Sequence, residues 1–98
     1  MRLTNFEIES IKQVFDEVFK DGSVCLFGSR VDDTKKGGDI DLYLRLNYPL
    51  DTKRRLYKAS QFRIKLEDKI GEQKIDIIIS KNINRRIEKE AIKNGIEL

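Results

Sequence analysis

Residues 39–46, Asp-Ile-Asp-Leu-Tyr-Leu-Arg-Leu, alternate without a break between two kinds of side chain. A strand sends successive side chains to opposite faces, so Ile40, Leu42, Leu44 and Leu46 share one face. Asp39, Asp41, Tyr43 and Arg45 share the other. A helix would scatter both sets around its circumference. The aliphatic face needs a core, which commits the chain to a sheet covered by helices on that side. The same alternation carries both aspartates outward together.

The remaining elements can be placed around this strand. Thr4 to Phe19 reads as a helix: Thr4 and Glu7 form a capping box, and Ile8, Ile11, Phe15 and Val18 recur at three- and four-residue steps. Val14 and Phe19 widen the stripe, and Asp21-Gly22 stops it. Val24 to Phe27 is a short apolar run before a glycine, as in a strand buried on both faces. Cys25 within it reads as a small buried hydrophobe. Ser29 to Gly38 begins with a helical turn and continues as a loop, in which Gly37-Gly38 permit a sharp bend. Lys35 and Lys36 are solvated loop charges. Asp51 caps a second helix to about Lys69, with Leu56, Ala59, Phe62, Leu66 and Ile70 buried and Gly71 as its stop. Lys74 to Ser80 is a third strand, in which Ile75, Ile77 and Ile79 face the core and Asp76 projects from the other side. Asn82 caps a last helix to about Asn94, with Ile83, Ile87 and Ala91 on one side and Gly95 closing it. The order helix, strand, strand, helix, strand, helix predicts one α+β (α/β) domain over residues 1–98, a short mixed sheet flanked by helices.

Composition narrows the chemistry. The chain of 98 residues has no histidine and a single cysteine. That removes an internal disulfide, the usual zinc sites, the Ser-His-Asp machinery and any imidazole base. One unpaired cysteine fits a reducing cytoplasm. Twenty basic residues against seventeen acidic give a net charge of +3, mixed along the chain, which is no strong nucleic-acid signal. No apolar run approaches the ~18 residues of a membrane span, and the N-terminus lacks a signal-peptide pattern. Carboxylates and a hard metal are left to carry any chemistry.

Two residues apart on a strand, Asp39 and Asp41 sit roughly 6–7 Å apart on one face. Carboxylates so spaced can converge on one ion, or on two ions about 3.5–4 Å apart as in two-metal phosphoryl transfer. Donor sets made only of oxygen favour Mg²⁺ or Mn²⁺. Asp76, the only acid in an isoleucine-rich strand, offers a third ligand; its bland alternative is a pair with Lys74 or Lys81. A calcium loop is excluded, since Leu42-Tyr43-Leu44 supply no further ligand or turn glycine. Gly28-Ser29 ends the first strand in a turn where backbone and hydroxyl can meet a phosphate. Arg30 either adds charge on a triphosphate or pairs with a nearby acid. No P-loop pattern is present.

Gly28-Ser29-Arg30, eight residues, then Asp39-Ile40-Asp41-Leu42, with Asp76 in a following strand, resembles the DNA polymerase beta-type nucleotidyltransferase superfamily, and most closely its small stand-alone form, the minimal nucleotidyltransferases. The resemblance covers nearly the whole chain. It implies Mg²⁺ (two ions, or Mn²⁺) held by Asp39, Asp41 and Asp76, with Gly28 and Ser29 on the phosphates of a nucleoside triphosphate such as ATP. An acceptor hydroxyl would attack the α-phosphate and pyrophosphate would leave. It also implies a HEPN-type toxin as partner, with AMP transferred to its tyrosine and this chain acting as antitoxin. Larger members carry a helical acceptor-binding domain, so the acceptor half is expected from that partner, against the exposed faces of the helices at 51–69 and 82–94. Self-association is compatible with the pattern. Two other readings stay open: a binding module that neutralises its partner without catalysis, and transfer to RNA or to a small molecule.

Overall fold

The computed structural model describes residues 1–34 and 38–98. The expected loop charges Lys35 and Lys36, and Gly37 of the glycine pair, lie outside the described residues. The chain runs α1 (Asn5–Val18), β1 (Gly22–Phe27), a 3-10 turn (Gly28–Val31), β2 (Ile40–Leu46), α2 (Thr52–Ile70), β3 (Ile75–Ile79), α3 (Arg86–Asn94) and β4 (Ile96–Glu97). The strands form one mixed sheet in the order β3-β2-β1-β4. β2 lies antiparallel to β1 and parallel to β3, and α2 makes the crossover that a parallel pair requires. The α+β domain with a short mixed sheet flanked by helices is the expected fold, enlarged by one strand.

The core forms between one face of the sheet and the helices α1 and α2. Ile11, Val14, Phe15 and Val18 of α1 and Phe62 and Leu66 of α2 meet Val24, Leu26, Ile40, Leu42, Leu44, Ile75 and Ile79. Each such side chain contributes about 1.5–3 kcal/mol when fully buried. Both helices begin as their sequences specify. The Thr4 hydroxyl accepts from the Glu7 amide at 3.0 Å while the Glu7 carboxylate accepts from the Thr4 amide at 2.9 Å. Asp51 accepts from the Arg54 amide at 2.8 Å.

Leu56 departs from the expected stripe and is 67% exposed. α2 is turned so that Arg55 and Ala59 face the sheet edge instead. The Arg55 guanidinium donates to the Leu50 and Ile79 carbonyls at 3.0 and 3.1 Å, and Arg63, two turns on, donates to the Ile75 carbonyl at 3.1 Å. A helix anchored through its arginines presents their stems inward, and the neighbouring leucine rotates out.

The opposite face of the sheet is covered by α3, and the expected start of that helix is shifted. Asn82 makes a local turn, accepting from the Asn84 amide at 2.9 Å, and the helix begins only at Arg86. Ile83 and Ile87 are 51% and 40% exposed, and the buried residues of α3 are Glu88 and Ala91. A carboxylate can sit there because it is fully satisfied. Glu88 accepts from the Tyr43 hydroxyl at 2.8 Å, the Ser80 hydroxyl at 2.6 Å, and the Lys81 and Asn82 amides at 3.0 and 2.9 Å. Burial pushes this carboxyl up, but the Ser80 hydroxyl, the Asn82 and Lys81 amides and the Tyr43 hydroxyl outweigh it and hold the group at about 2. Tyr43, expected on the outward face, is accordingly 1% exposed. Gly95 then turns the chain into β4, which pairs with Cys25 and Leu26 of β1. Cys25 is half-buried rather than enclosed, and burial followed by the Glu97 charge raises its thiol above the ordinary range.

Candidate active site

The parallel register of β2 on β3 sets Asp41 directly beside Asp76. Neighbouring strands lie about 4.8 Å apart, so these two carboxylates leave the sheet side by side. On its other flank, Asp41 is paired with Phe27, the last residue of β1. The 3-10 turn therefore opens next to Asp41. Gly28 has φ +76°, and a β-carbon there would collide with the Asp41 carboxylate. Only glycine allows this approach, for reasons of space and of backbone angle.

A second glycine holds the turn's hydroxyl. Gly38 has φ +89°, and a β-carbon on it would collide with Ser29 Oγ. The turn is braced from the N-terminal segment. Arg2 donates from Nη2 to the Ser29 carbonyl at 2.9 Å and from Nε to the Asp32 carbonyl at 3.0 Å, and its amide donates to the Arg30 carbonyl at 2.7 Å. Arg30 reciprocates from Nη1 to the Arg2 carbonyl at 2.9 Å and reaches the Gly38 carbonyl from Nε at 3.3 Å. Neither destination weighed for Arg30 from sequence, a triphosphate or an acid, describes these bonds: Nε and Nη1 tie the turn to the backbone. The brace by Arg2 has no local signal in the sequence, because its partners lie about 30 residues away.

The electrostatics of the acid group are unfavourable as they stand. Burial raises the Asp41 carboxyl most, a shared hydrogen bond with Asp76 and the charges of Asp76 and Asp39 add to it, and Lys74 opposes them; the group stands at about 6. Lys74 lies 3.3 Å from Asp39, and that pairing raises the lysine above its ordinary value. The pairing with Lys74 that stood as one alternative for Asp76 thus falls on Asp39. Among the described residues, no three His, Cys, Asp or Glu side chains are already drawn together as a metal site. Asp39 is held by an ammonium group and Asp41 by Asp76. The donor set nevertheless fits a hard divalent ion: it is all carboxylate oxygen, like-charged, and relieved by positive charge.

Asp39, Asp41 and Asp76 thus stand with Gly28 and Ser29 at one end of the sheet, beside a turn able to approach phosphate. A family model described as polymerase beta nucleotidyltransferase matches residues 9–98. The chain belongs to this nucleotidyltransferase family. No curated protein matches it. The family generally uses a nucleoside triphosphate and a divalent metal. No helix among the described residues is long and apolar enough to cross a membrane.

Proposed function

We propose that this nucleotidyltransferase moves AMP from ATP to the tyrosine hydroxyl of a HEPN-type toxin, and so acts as that toxin's antitoxin. The observation that carries the chemistry is Asp41, lodged between Gly28 and Asp76. Gly28 leaves room for phosphate oxygens against the backbone, and the Ser29 hydroxyl donates to one of them. Asp39, Asp41 and Asp76 are the residues that would hold Mg²⁺, or Mn²⁺ in its place. Once bound, the divalent cation neutralises charge on the triphosphate and lowers the pKa of the acceptor hydroxyl. Asp76 takes the acceptor's proton, the role left to a carboxylate in a chain without histidine. The acceptor oxygen bonds to the α-phosphorus, the bond to the bridging oxygen breaks, and pyrophosphate leaves.

A protein acceptor is supported by the surface of α2, which exposes Leu56, Tyr57 and Ile64 at 67%, 65% and 62%. Apolar groups gathered on one helix suit a protein contact better than a phosphate backbone. The mixed, weak positive charge points the same way.

The test is incubation of the chain with α-labelled ATP, Mg²⁺ and the HEPN-type partner. Label on the partner, lost with Asp39→Asn and on replacing the acceptor tyrosine by phenylalanine, is the expected result. Absence of label while the two proteins bind would overturn transfer. Full protection by Asp39→Asn and Asp41→Asn would leave a neutralising module without catalysis, and label in RNA or small molecules would replace the acceptor.

A further inference from the structure

The peptide plane between Ile75 and Asp76 joins a helix to the acid group. At one end of this plane is the α-carbon of Asp76, whose carboxylate leaves the sheet beside that of Asp41. Its carbonyl, that of Ile75, accepts from Nε of Arg63 on α2 at 3.1 Å. A peptide unit is rigid, so a bond that fixes the carbonyl also fixes the atom from which the Asp76 side chain springs.

Helix and strand are in step at this contact. Arg55 donates to the Ile79 carbonyl, also at 3.1 Å, so α2 holds β3 at both ends. From Arg55 to Arg63 the helix rises about 12 Å, and from Ile79 back to Ile75 the strand covers about 13 Å. Arg63 takes the end that carries the acids, and Arg55 takes the end away from them.

The acid end is where β3 needs holding. Among the described residues β2 is the only strand beside β3. The pairing starts at Ile75, with the Ile40 amide donating to the Lys74 carbonyl at 3.2 Å, so Asp76 sits one residue inside a strand end. Such ends open more readily than the middle of a sheet. Asp41 and Asp76 also bring like charges together there, and movement of the edge strand is the readiest relief. Ile75 is buried on the core face, but apolar burial is non-directional and does not fix the tilt of a peptide plane. The Arg63 bond does. Outward movement of the plane runs into the guanidinium, and a slip along the strand breaks a directed bond.

We infer that Arg63 is a positioning residue: through the Ile75 carbonyl it holds Asp76 where Asp41 and Asp76 can share a divalent cation. This rests on the proposed function, in which Asp76 is a metal ligand, and adds a residue that acts from behind the ligand set. Groups in that place typically carry 10–100-fold in metal affinity. Arg55 supplies an internal comparison, because it makes the same kind of bond to the same strand beyond the acids.

Mn²⁺ binding to the full chain reads the position of the acids without any acceptor. The parent, Arg63→Ala, Arg55→Ala, Asp76→Asn and the double variant of Arg63→Ala with Asp76→Asn are titrated, with free Mn²⁺ followed by electron paramagnetic resonance. Arg63→Ala is expected to bind about tenfold more weakly than the parent. Arg55→Ala is expected to stay within twofold. In the Asp76→Asn background, removing Arg63 is expected to change affinity less than twofold, since an effect exerted through Asp76 cannot be lost twice. Should Arg63→Ala fail to fold, Arg63→Lys replaces it, keeping the charge without the planar fork, with a loss of about threefold expected. Unchanged affinity in the Arg63 variant, equal losses at Arg63 and Arg55, or a full loss that persists without the Asp76 carboxylate would overturn the positioning role and leave the proposed function standing. A parent that binds no Mn²⁺ would overturn both. The expected pattern together with an unlabelled HEPN-type partner would overturn the acceptor and leave the role of Arg63 standing.

Discussion

The carboxylate of Asp41 lies so close to Cα of Gly28 that a methyl group on that carbon would occupy the same space. Two strands and a turn are thereby fitted together at one contact. Gly28→Ala must adopt φ +76° and also displace the acid. We expect it to cost about 1–3 kcal/mol in stability and, through displacement of Asp41, on the order of 10²-fold in transfer. Thermal denaturation and single-turnover transfer from labelled ATP measure the two effects separately.

Asp41→Asn tests the charge crowding at the same place. In the absence of metal the substitution removes one of the like charges while keeping the side chain's shape. The variant is expected to melt at the same temperature as the parent or higher without Mg²⁺. Added Mg²⁺ should raise the melting temperature of the parent and leave that of the variant unchanged. A variant less stable than the parent in metal-free buffer would contradict like-charge crowding at Asp41.

Lys74 competes with a cation for Asp39. Its ion pair is formed by side chains 72% and 39% exposed, so deleting it should leave the melting temperature nearly unchanged. Asp39 released from the ammonium group should bind metal more readily. Lys74→Ala is expected to lower the Mg²⁺ concentration for half-maximal transfer several-fold, read from a metal titration. A higher requirement for Mg²⁺ would show instead that the lysine supports the nucleotide.

Glu88 makes acid stability the fourth test. Its carboxyl is held at about 2 in the fold against an ordinary value of 4.5. A depressed acid stabilises the folded state above its unfolded value and loses that contribution as pH falls towards the folded one. The contribution, about 3 kcal/mol, should be complete above pH ~4.5 and fade between there and pH ~2. Glu88→Gln, which places amide hydrogens against donors, should cost about 2–4 kcal/mol at neutral pH. Urea unfolding of parent and variant, followed from pH 7 downward, should show the gap closing across that window.

Asp39 and Asp41 are legible in the sequence because alternation along one strand is local and needs no knowledge of its neighbours. The capping of α1 and α2 is legible for the same reason. The pairing of Asp41 with Asp76 is not, since it depends on the register between strands separated by α2. Periodicity also misplaces the buried side of α3: isoleucines at helical spacing suggest the core, whereas Glu88 takes that position through hydroxyls on β2 and beyond β3. Leu56 fails in the same way, displaced by the backbone bonds of Arg55. In each case a polar side chain with at least one partner on another element distant in sequence, Ile79 for Arg55 and Tyr43 for Glu88, overrides an apolar pattern that is read locally.

Arg55 and Arg63 of α2 reach a strand that lies at the edge of the sheet. β2 takes the Lys74 carbonyl, so alternation turns the carbonyls of Ile75 and Ile79 outward, and these are the ones Arg63 and Arg55 occupy. An incoming strand would find these acceptors already taken and would have to displace two cationic side chains to pair there. The edge of β3 is therefore a poor place for another polypeptide to extend the sheet. Surface substitutions on the exposed side of α2 can therefore accumulate without disturbing the strands that align the acids.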